Sequence, residues 1–306
     1  MTTATGQAPG AAVRTAAPAR SGPRPKRRVG AYVFLTIAAI FWIAPVLWTL
    51  YTALRPVSDT DKHGYFSWPR MLTLDNFIDA WNQGDVIHYF LNSLYITVPA
   101  VIVTLFLSSC VAYVVSRWSF KFNLAMLLIF TAGNLLPQQV FMAPLFKMYL
   151  WISVPDWLSA SGKLYDSLLG LVVINVSFQM GFCVFVLSNF MKTIPHEITE
   201  AALVDGASVW TQYWRLTLPL CRPALAAMAT LLTTWIYNDF FWAIALISTG
   251  SKYPITTAIL NLKGTYAVNN NLLAAGAMII ALPTLAVYFA LQRQFISGLT
   301  LGSTKA

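Results

Sequence analysis

Long apolar runs alternate with short polar stretches along the chain. Six of these runs lie at roughly 30–52, 89–114, 124–148, 168–190, 222–247 and 271–292. Crossing a bilayer as a helix takes roughly 20 residues, and each run reaches that length. A helix satisfies its own backbone polar groups, which lipid cannot do. The alternation in segments of about ten residues that marks a membrane barrel is absent. The pattern therefore predicts an all-α integral membrane protein with six transmembrane helices. The first run exceeds a secretory signal core and is followed by "TALRP", so it reads as a span rather than a cleaved leader.

Composition agrees with this class. The 306 residues are 57% hydrophobic and 10% charged, whereas soluble domains carry about a quarter charged residues. The formal charge of +9 is a topology signal. Arg and Lys concentrate in the N-terminal arm, then at Arg117 and Lys121, at Lys192, Arg215 and Arg222, and at Arg293 and Lys305. Those loops alternate onto one side, which predicts that both termini are cytoplasmic. Because the basic residues are spread over several loops, a nucleic-acid partner is not expected. The arm, residues 1–28, is rich in Ala, Pro, Gly and Thr and is expected to be disordered, its "RPKRR" end anchoring the first span. The three cysteines and three histidines are scattered, which argues against a disulfide framework or a metal site. The chain carries no nucleophile elbow, no HExxH and no phosphate-binding glycine loop. No catalytic residue and no metal are expected.

The stretch "EITEAALVDGASVWTQYWRLTLPL", Glu197 to Leu220, joins the fourth and fifth runs and is longer and more patterned than a simple connection. Pro195 suits a first helical turn, and Glu197 and Glu200 suit the positive end of a helix dipole. Ile198, Ala201, Ala202 and Asp205 share a face by three- and four-residue spacing. Gly206 then stops or bends the helix. Beyond it Trp210, Tyr213, Trp214 and Thr217 repeat at helical spacing, predicting a second short helix along the membrane surface that Pro219 and Pro223 end. The residues alone leave open whether this helix, elbow and helix dock a partner or form an ordered loop.

Polar side chains also fall inside the runs. Trp235, Asn238, Asp239 and Trp242 occupy one continuous helical face in the fifth. Asn175 and Gln179 are four apart in the fourth; Asn134 and Gln138 flank Pro137 in the third. Polar groups in a bilayer are costly and usually face a bundle interior or a wet cavity. Two readings stay open for them: the lining of a wet cavity, or hydrogen bonds between helices worth around 1 kcal/mol each. For Asp239 the structural alternative is a partner on a companion subunit.

The segment "EAALVDGASVWTQYWRLTLP", Glu200 to Pro219, resembles the EAA motif of binding-protein-dependent ABC importer permeases: EAA, three residues, Gly, nine residues, an aliphatic (Leu216), one residue, then Leu218 and Pro219. "AYVVSRWSF", "YNDFFWAIAL" and the tail "QRQFISGLTLGSTKA" resemble the maltose-type carbohydrate branch and its MalG-like subunit. The resemblance runs from about residue 30 to the end. It implies a prokaryotic, multi-pass cell-membrane permease that pairs with a second, homologous permease. Two cytoplasmic ATPase subunits would hold the ATP and magnesium, and an extracytoplasmic sugar-binding protein would deliver the cargo, with no cofactor bound by this chain itself. The implied organisation is a disordered basic arm (1–28), a six-helix permease domain (29–292) containing a cytoplasmic coupling segment (193–220), and a cytoplasmic tail (293–306). Glu200, Ala201, Ala202, Asp205, Gly206, Leu218 and Pro219 would engage an ATPase subunit, and the tail residues Gln294, Gly298 and Thr300 would reach between the ATPases. Sugar sites need hydroxyl partners and flat aromatic faces, which the polar set in the spans supplies. The implied cargo is a disaccharide or short oligosaccharide. A self-sufficient secondary transporter and a non-transporting membrane scaffold are the alternatives.

Overall fold

Each apolar run of the sequence forms one or more helices in the computed structural model, which describes residues 29–119, 121–133, 136–159, 161–262 and 269–300 (backbone only at 124, 131, 261 and 291–300). Among the described residues the only pairing of extended backbone is an isolated bridge between Ser153 and Lys163. The helices are α1 (Val29–Ala53), α2 (Val57–His63), α3 (Asp75–Gln83), α4 (Val86–Arg117), α5 (Asn123–Ala132), α6 (Gln138–Trp151) and α7 (Leu168–Met191). After them come α8 (His196–Val204), α9 (Val209–Thr211), a π-helical stretch Gln212–Thr217, α10 (Leu218–Leu220), α11 (Arg222–Tyr237), α12 (Phe241–Leu246), α13 (Ile255–Ala258) and α14 (Asn270–Thr300).

The chain divides into two units, Met1–Val46 and Leu47–Ala306. The described part of the first is the helical stretch from Val29, whose large side chains, among them Phe34, Phe41 and Trp42, are exposed. A helix apolar on all sides suits lipid rather than water.

The second unit is built on α4 and α7, which pack together more extensively than any other pair. Ala100, Thr104, Ser108 and Ala112 recur every four residues on α4 and are fully buried. Small residues at that spacing let backbones approach closely, which is how helices associate without a hydrophobic driving force. The Ser108 hydroxyl donates to the Met180 carbonyl of α7 across the contact, at 3.3 Å. Leu171, Leu187 and Met191 of α7 join Met228 and Leu232 of α11 in the core. α14 packs on α11 and α3.

Among the described residues four helices are long and apolar enough to cross a membrane: Val29–Ala53, Val86–Arg117, Leu168–Met191 and Asn270–Ala290. A fifth arises if Val209–Leu220 and Arg222–Tyr237, which meet at 73°, are counted as one. The third apolar run is divided between α5 and α6. The fifth is interrupted at 238–240, between α11 and α12. There Asn238 Nδ2 donates to the Thr234 carbonyl at 2.7 Å, and Asp239 Oδ1 accepts the Trp242 amide at 3.2 Å. The Thr256 hydroxyl holds the Asp239 carbonyl at 2.9 Å. Side chains of this type compete for backbone groups and so end one helix and start another. The last helix runs on to Thr300, past the end of the sixth apolar run.

Candidate functional site

The interruption at 238–240 opens a cavity of about 650 Å³. Gln138 from α6, Asn175, Phe178 and Gln179 from α7, Thr234 and Trp235 from α11, and 238–242 around the break line it. The structure thus brings Gln138, Asn175, Gln179, Trp235, Asn238, Asp239 and Trp242 to one chamber. Asn134 lies outside the described residues. Trp235, Asn238, Asp239 and Trp242 do not share one continuous helix; the break turns them to a common wall instead.

Inside the chamber Asn175 is buried and bridges two carbonyl-type acceptors, Leu171 O at 2.9 Å and Asp239 Oδ2 at 3.3 Å. Asp239 receives these neutral donors and, among the described residues, no Lys or Arg lies in the chamber wall or pairs with it. Trp242 is 2% exposed, and its indole nitrogen is buried without a hydrogen-bond partner. Two ring pairs stand at the wall: Phe178 lies 5.0 Å from Trp242, and Phe182 lies 5.4 Å from the lining Trp235. Phe178 and Thr234 were not singled out from the sequence, although each sits at helical spacing from a residue that was: Phe178 three after Asn175, Thr234 four before Asn238. A smaller cavity of about 220 Å³ among α4, α11 and α14 shares the Thr234 wall and is lined mainly by apolar side chains.

The second candidate region is the linking segment. α8 starts after Pro195, carries Glu197 in its first turn, and ends at Val204, just before Gly206 with φ 78°. The Gly206 amide donates to Leu203 O at 3.0 Å and the Ala207 amide to Ala202 O at 2.9 Å. This pair of bonds closes the helix with a left-handed residue, for which glycine has no steric penalty. Ser208 then caps the next helix by accepting the Thr211 amide at 3.2 Å. The elbow is braced by Gln212, 2% exposed, whose Nε2 donates to Ala207 O at 2.9 Å. Glu200, Ala201, Asp205 and Gly206 are exposed, Ala202 is buried, and Leu218 and Pro219 are half-buried. Leu203 and Val204 extend the exposed face with apolar side chains.

The segment does not hang free. Tyr213 OH shares a 2.7 Å hydrogen bond with Ser109 Oγ of α4, and Arg117 at the end of α4 donates to Ile194 O at 3.2 Å. The π-helical register of 212–217, in which the Leu218 amide donates to Tyr213 O, precedes Pro219. Proline offers no amide and clashes with the carbonyl four residues back, so the wider register accommodates it. Of the tail residues Gln294, Gly298 and Thr300, the structure establishes helical backbone.

On the face of the unit where α6 leads into α7, Asp166 (φ 55°) clasps the end of the interrupted span. It accepts the Ser248 amide at 2.9 Å, the Thr249 amide at 2.8 Å and hydroxyl at 2.6 Å, and pairs with Lys252 at 2.9 Å. Burial works to raise the Asp166 pKa, but the bonds from Thr249, Lys252 and Ser248 outweigh it and hold the carboxyl well below the usual range. Nothing in the sequence pattern distinguished Asp166 from other loop acids.

The broken helix places backbone and polar groups in a cavity inside a helical membrane protein, which is tolerated only away from lipid. The chain belongs to the family of binding-protein-dependent transport system inner membrane components, whose model matches residues 84–300. It is 28% identical to the diacetylchitobiose uptake system permease protein of Streptomyces coelicolor over 289 residues, which cover 93% of this chain and 92% of that one. It is 27% identical to the arabinooligosaccharides transport system permease protein of Halalkalibacterium halodurans over 278 residues, 90% of this chain and 94% of the other. It shares its fold with a solved bacterial ABC transporter involved in the import of the acidic polysaccharide alginate. That match has a TM-score of 0.72 and 20% identity, covering 87% of this chain and 95% of the other.

Proposed function

We propose that this chain is one permease half of an ATP-driven sugar importer and carries a disaccharide or short oligosaccharide by alternating access. The observation that carries the reading is the chamber at 238–240, where four amides, one carboxylate and several aromatic rings face a common space of sugar-accommodating size. Amides and a carboxylate meet sugar hydroxyls; flat rings stack on the apolar faces of pyranoses. The oligosaccharide systems to which the relatives belong favour such a cargo.

In this reading the six spans are α1, α4, α5 with α6, α7, α11 with α12, and α14, and both termini are cytoplasmic, as the distribution of Arg and Lys favours. The α8 elbow lies on the cytoplasmic face. Its exposed Glu200, Ala201, Leu203, Val204 and Asp205 seat in a partner ATPase subunit, and Tyr213 and Arg117 transmit movement of that socketed helix to α4. A second, homologous permease completes the path. Two ATPase subunits bind ATP and magnesium, and an extracytoplasmic binding protein delivers the sugar. The tail from Gln294 onward reaches the ATPase pair.

The test is reconstitution in liposomes with radiolabelled oligosaccharides. Flux that requires ATP, the companion permease and the ATPase pair supports the importer. Flux by this chain alone would assign a secondary transporter, and complex assembly without flux for any sugar tested would assign a scaffold.

A further inference from the structure

The loop between α2 and α3 carries a patch that neither the chamber nor the elbow uses. Phe66 is 90% exposed and Trp68 91%, with Met71, Leu72 and Leu74 also exposed beside them. The loop is nonetheless held firmly. The Phe66 ring lies 4.9 Å from Trp48, the Tyr51 hydroxyl donates to Ser67 O, and the Thr73 amide donates to Leu54 O at 2.8 Å. Arg55, 1% exposed and paired with Asp59, donates to Gly64 O at 3.2 Å, Tyr65 O at 3.3 Å and Ser67 Oγ at 2.9 Å. Asn270 at the start of α14 donates to Tyr65 OH at 2.8 Å. A mobile loop could tuck its aromatics away; this one is pinned with them outward.

The pinning also ties the loop to the last turns of a candidate span. α1 has 25 residues, and at 1.5 Å per residue it rises about 37 Å, some 7 Å beyond the roughly 30 Å hydrocarbon core. Spanning upright, a helix of that length has its end turns at or near the hydrocarbon boundary. Trp48 and Tyr51, which hold the loop, belong to those turns. Trp and Phe beside a basic residue at that level match the amphipathic chemistry of the bilayer boundary, and Arg70 is exposed between Trp68 and Met71.

We propose that residues 65–74 form a membrane-interface anchor, seating Phe66 and Trp68 among phospholipid headgroups and upper acyl chains at the Ala53 end of α1. The occupant is the lipid surface. A companion permease or a binding protein on the same patch is the competing outcome.

The test places a photoreactive benzophenone amino acid at position 68, and separately at position 66, of the fully assembled importer in phosphatidylethanolamine and phosphatidylglycerol liposomes. Position 79, exposed on α3, is the reference. After irradiation, mass spectrometry should find phospholipid adducts as the main product at 66 and 68, at least severalfold above position 79. Adducts to another protein subunit at both positions, or no lipid adduct above the reference, would overturn the proposal. The readout does not depend on transport, so it stands apart from the sugar assignment.

Discussion

Asp239 has two roles that a single substitution separates. Its Oδ1 starts α12 through the Trp242 amide, and its Oδ2 meets Asn175 inside the chamber. Asparagine keeps an acceptor for the amide but removes the charge. A hydrogen bond to a charged group is worth about 1.5–3 kcal/mol, so if the carboxylate binds sugar, Asp239→Asn should lower uptake by roughly tenfold or more. Trp235→Ala should also reduce uptake, because it removes a ring from the wall. Both variants should assemble normally. Uptake at the parental rate with equal expression would take these residues out of the path. At this scale the sequence was informative wherever a polar or aromatic side chain sat inside an apolar run, because the bilayer makes that costly. It was blind to Phe178, since a phenylalanine in a span is ordinary, and to the interruption at 238–240. No proline or glycine marks that break; it comes from side-chain bonds of Asn238, Asp239 and Thr256 that periodicity does not register.

Among the elements, the elbow after α8 was legible because it depends on local chemistry. Gly206 adopts φ 78°, and a Cβ there would meet nothing within 4 Å. The penalty of Gly206→Ala is therefore conformational, about 1 kcal/mol, and a β-branched residue adds more. Gly206→Val should leave the spans inserted but misdirect α8, and Glu200→Lys should reverse a charge on its exposed face. Each should reduce co-purification of the ATPase subunits, and the Glu200→Lys effect should depend on salt because screening acts within about 10 Å at 0.1 M. Full co-purification with full uptake for both would make the segment a passive connection. The Asp166 clasp was not legible, since its partners Ser248, Thr249 and Lys252 lie more than eighty residues away. Its folded pKa is depressed, so its contribution is complete above the unfolded value of about 3.9 and is lost as pH falls through the lower folded value. Asp166→Asn should lower the melting temperature of the purified complex by a few degrees at pH 7, and the gap from wild type should shrink as the pH drops below about 4. A gap independent of pH would show that the charge is not what stabilises the clasp.

For the whole molecule, the proposed function requires that an event at a partner ATPase reach the chamber around 238–240. The covalent route runs from α8 through Gly206 and the π-helical stretch into α11, whose C-terminal end is the wall of the chamber. A second route runs from Tyr213 to Ser109 and along α4, which packs on both α7 and α11. Both end on helices, α7 and α11, that line the chamber, so on the proposed function either could carry movement to it. Neither involves the C-terminal residues, so a role for the tail in coupling needs its own test. α14 continues as helix to Thr300, and its final turns carry Gln292, Arg293 and Gln294 in "LQRQFISGLT", a sequence too polar to require lipid. If those turns contact the ATPase pair, they regulate when hydrolysis follows sugar delivery rather than how the chamber moves. Truncation after Arg293 should then leave the spans inserted and the ATPases bound through α8. The stimulation of ATP hydrolysis by sugar-loaded binding protein should fall severalfold, while basal hydrolysis stays near its starting level. Comparing the two rates in the same liposomes isolates the tail from the elbow, because loss of α8 docking lowers both. A truncated complex whose hydrolysis still responds fully to sugar would remove the tail from the coupling scheme.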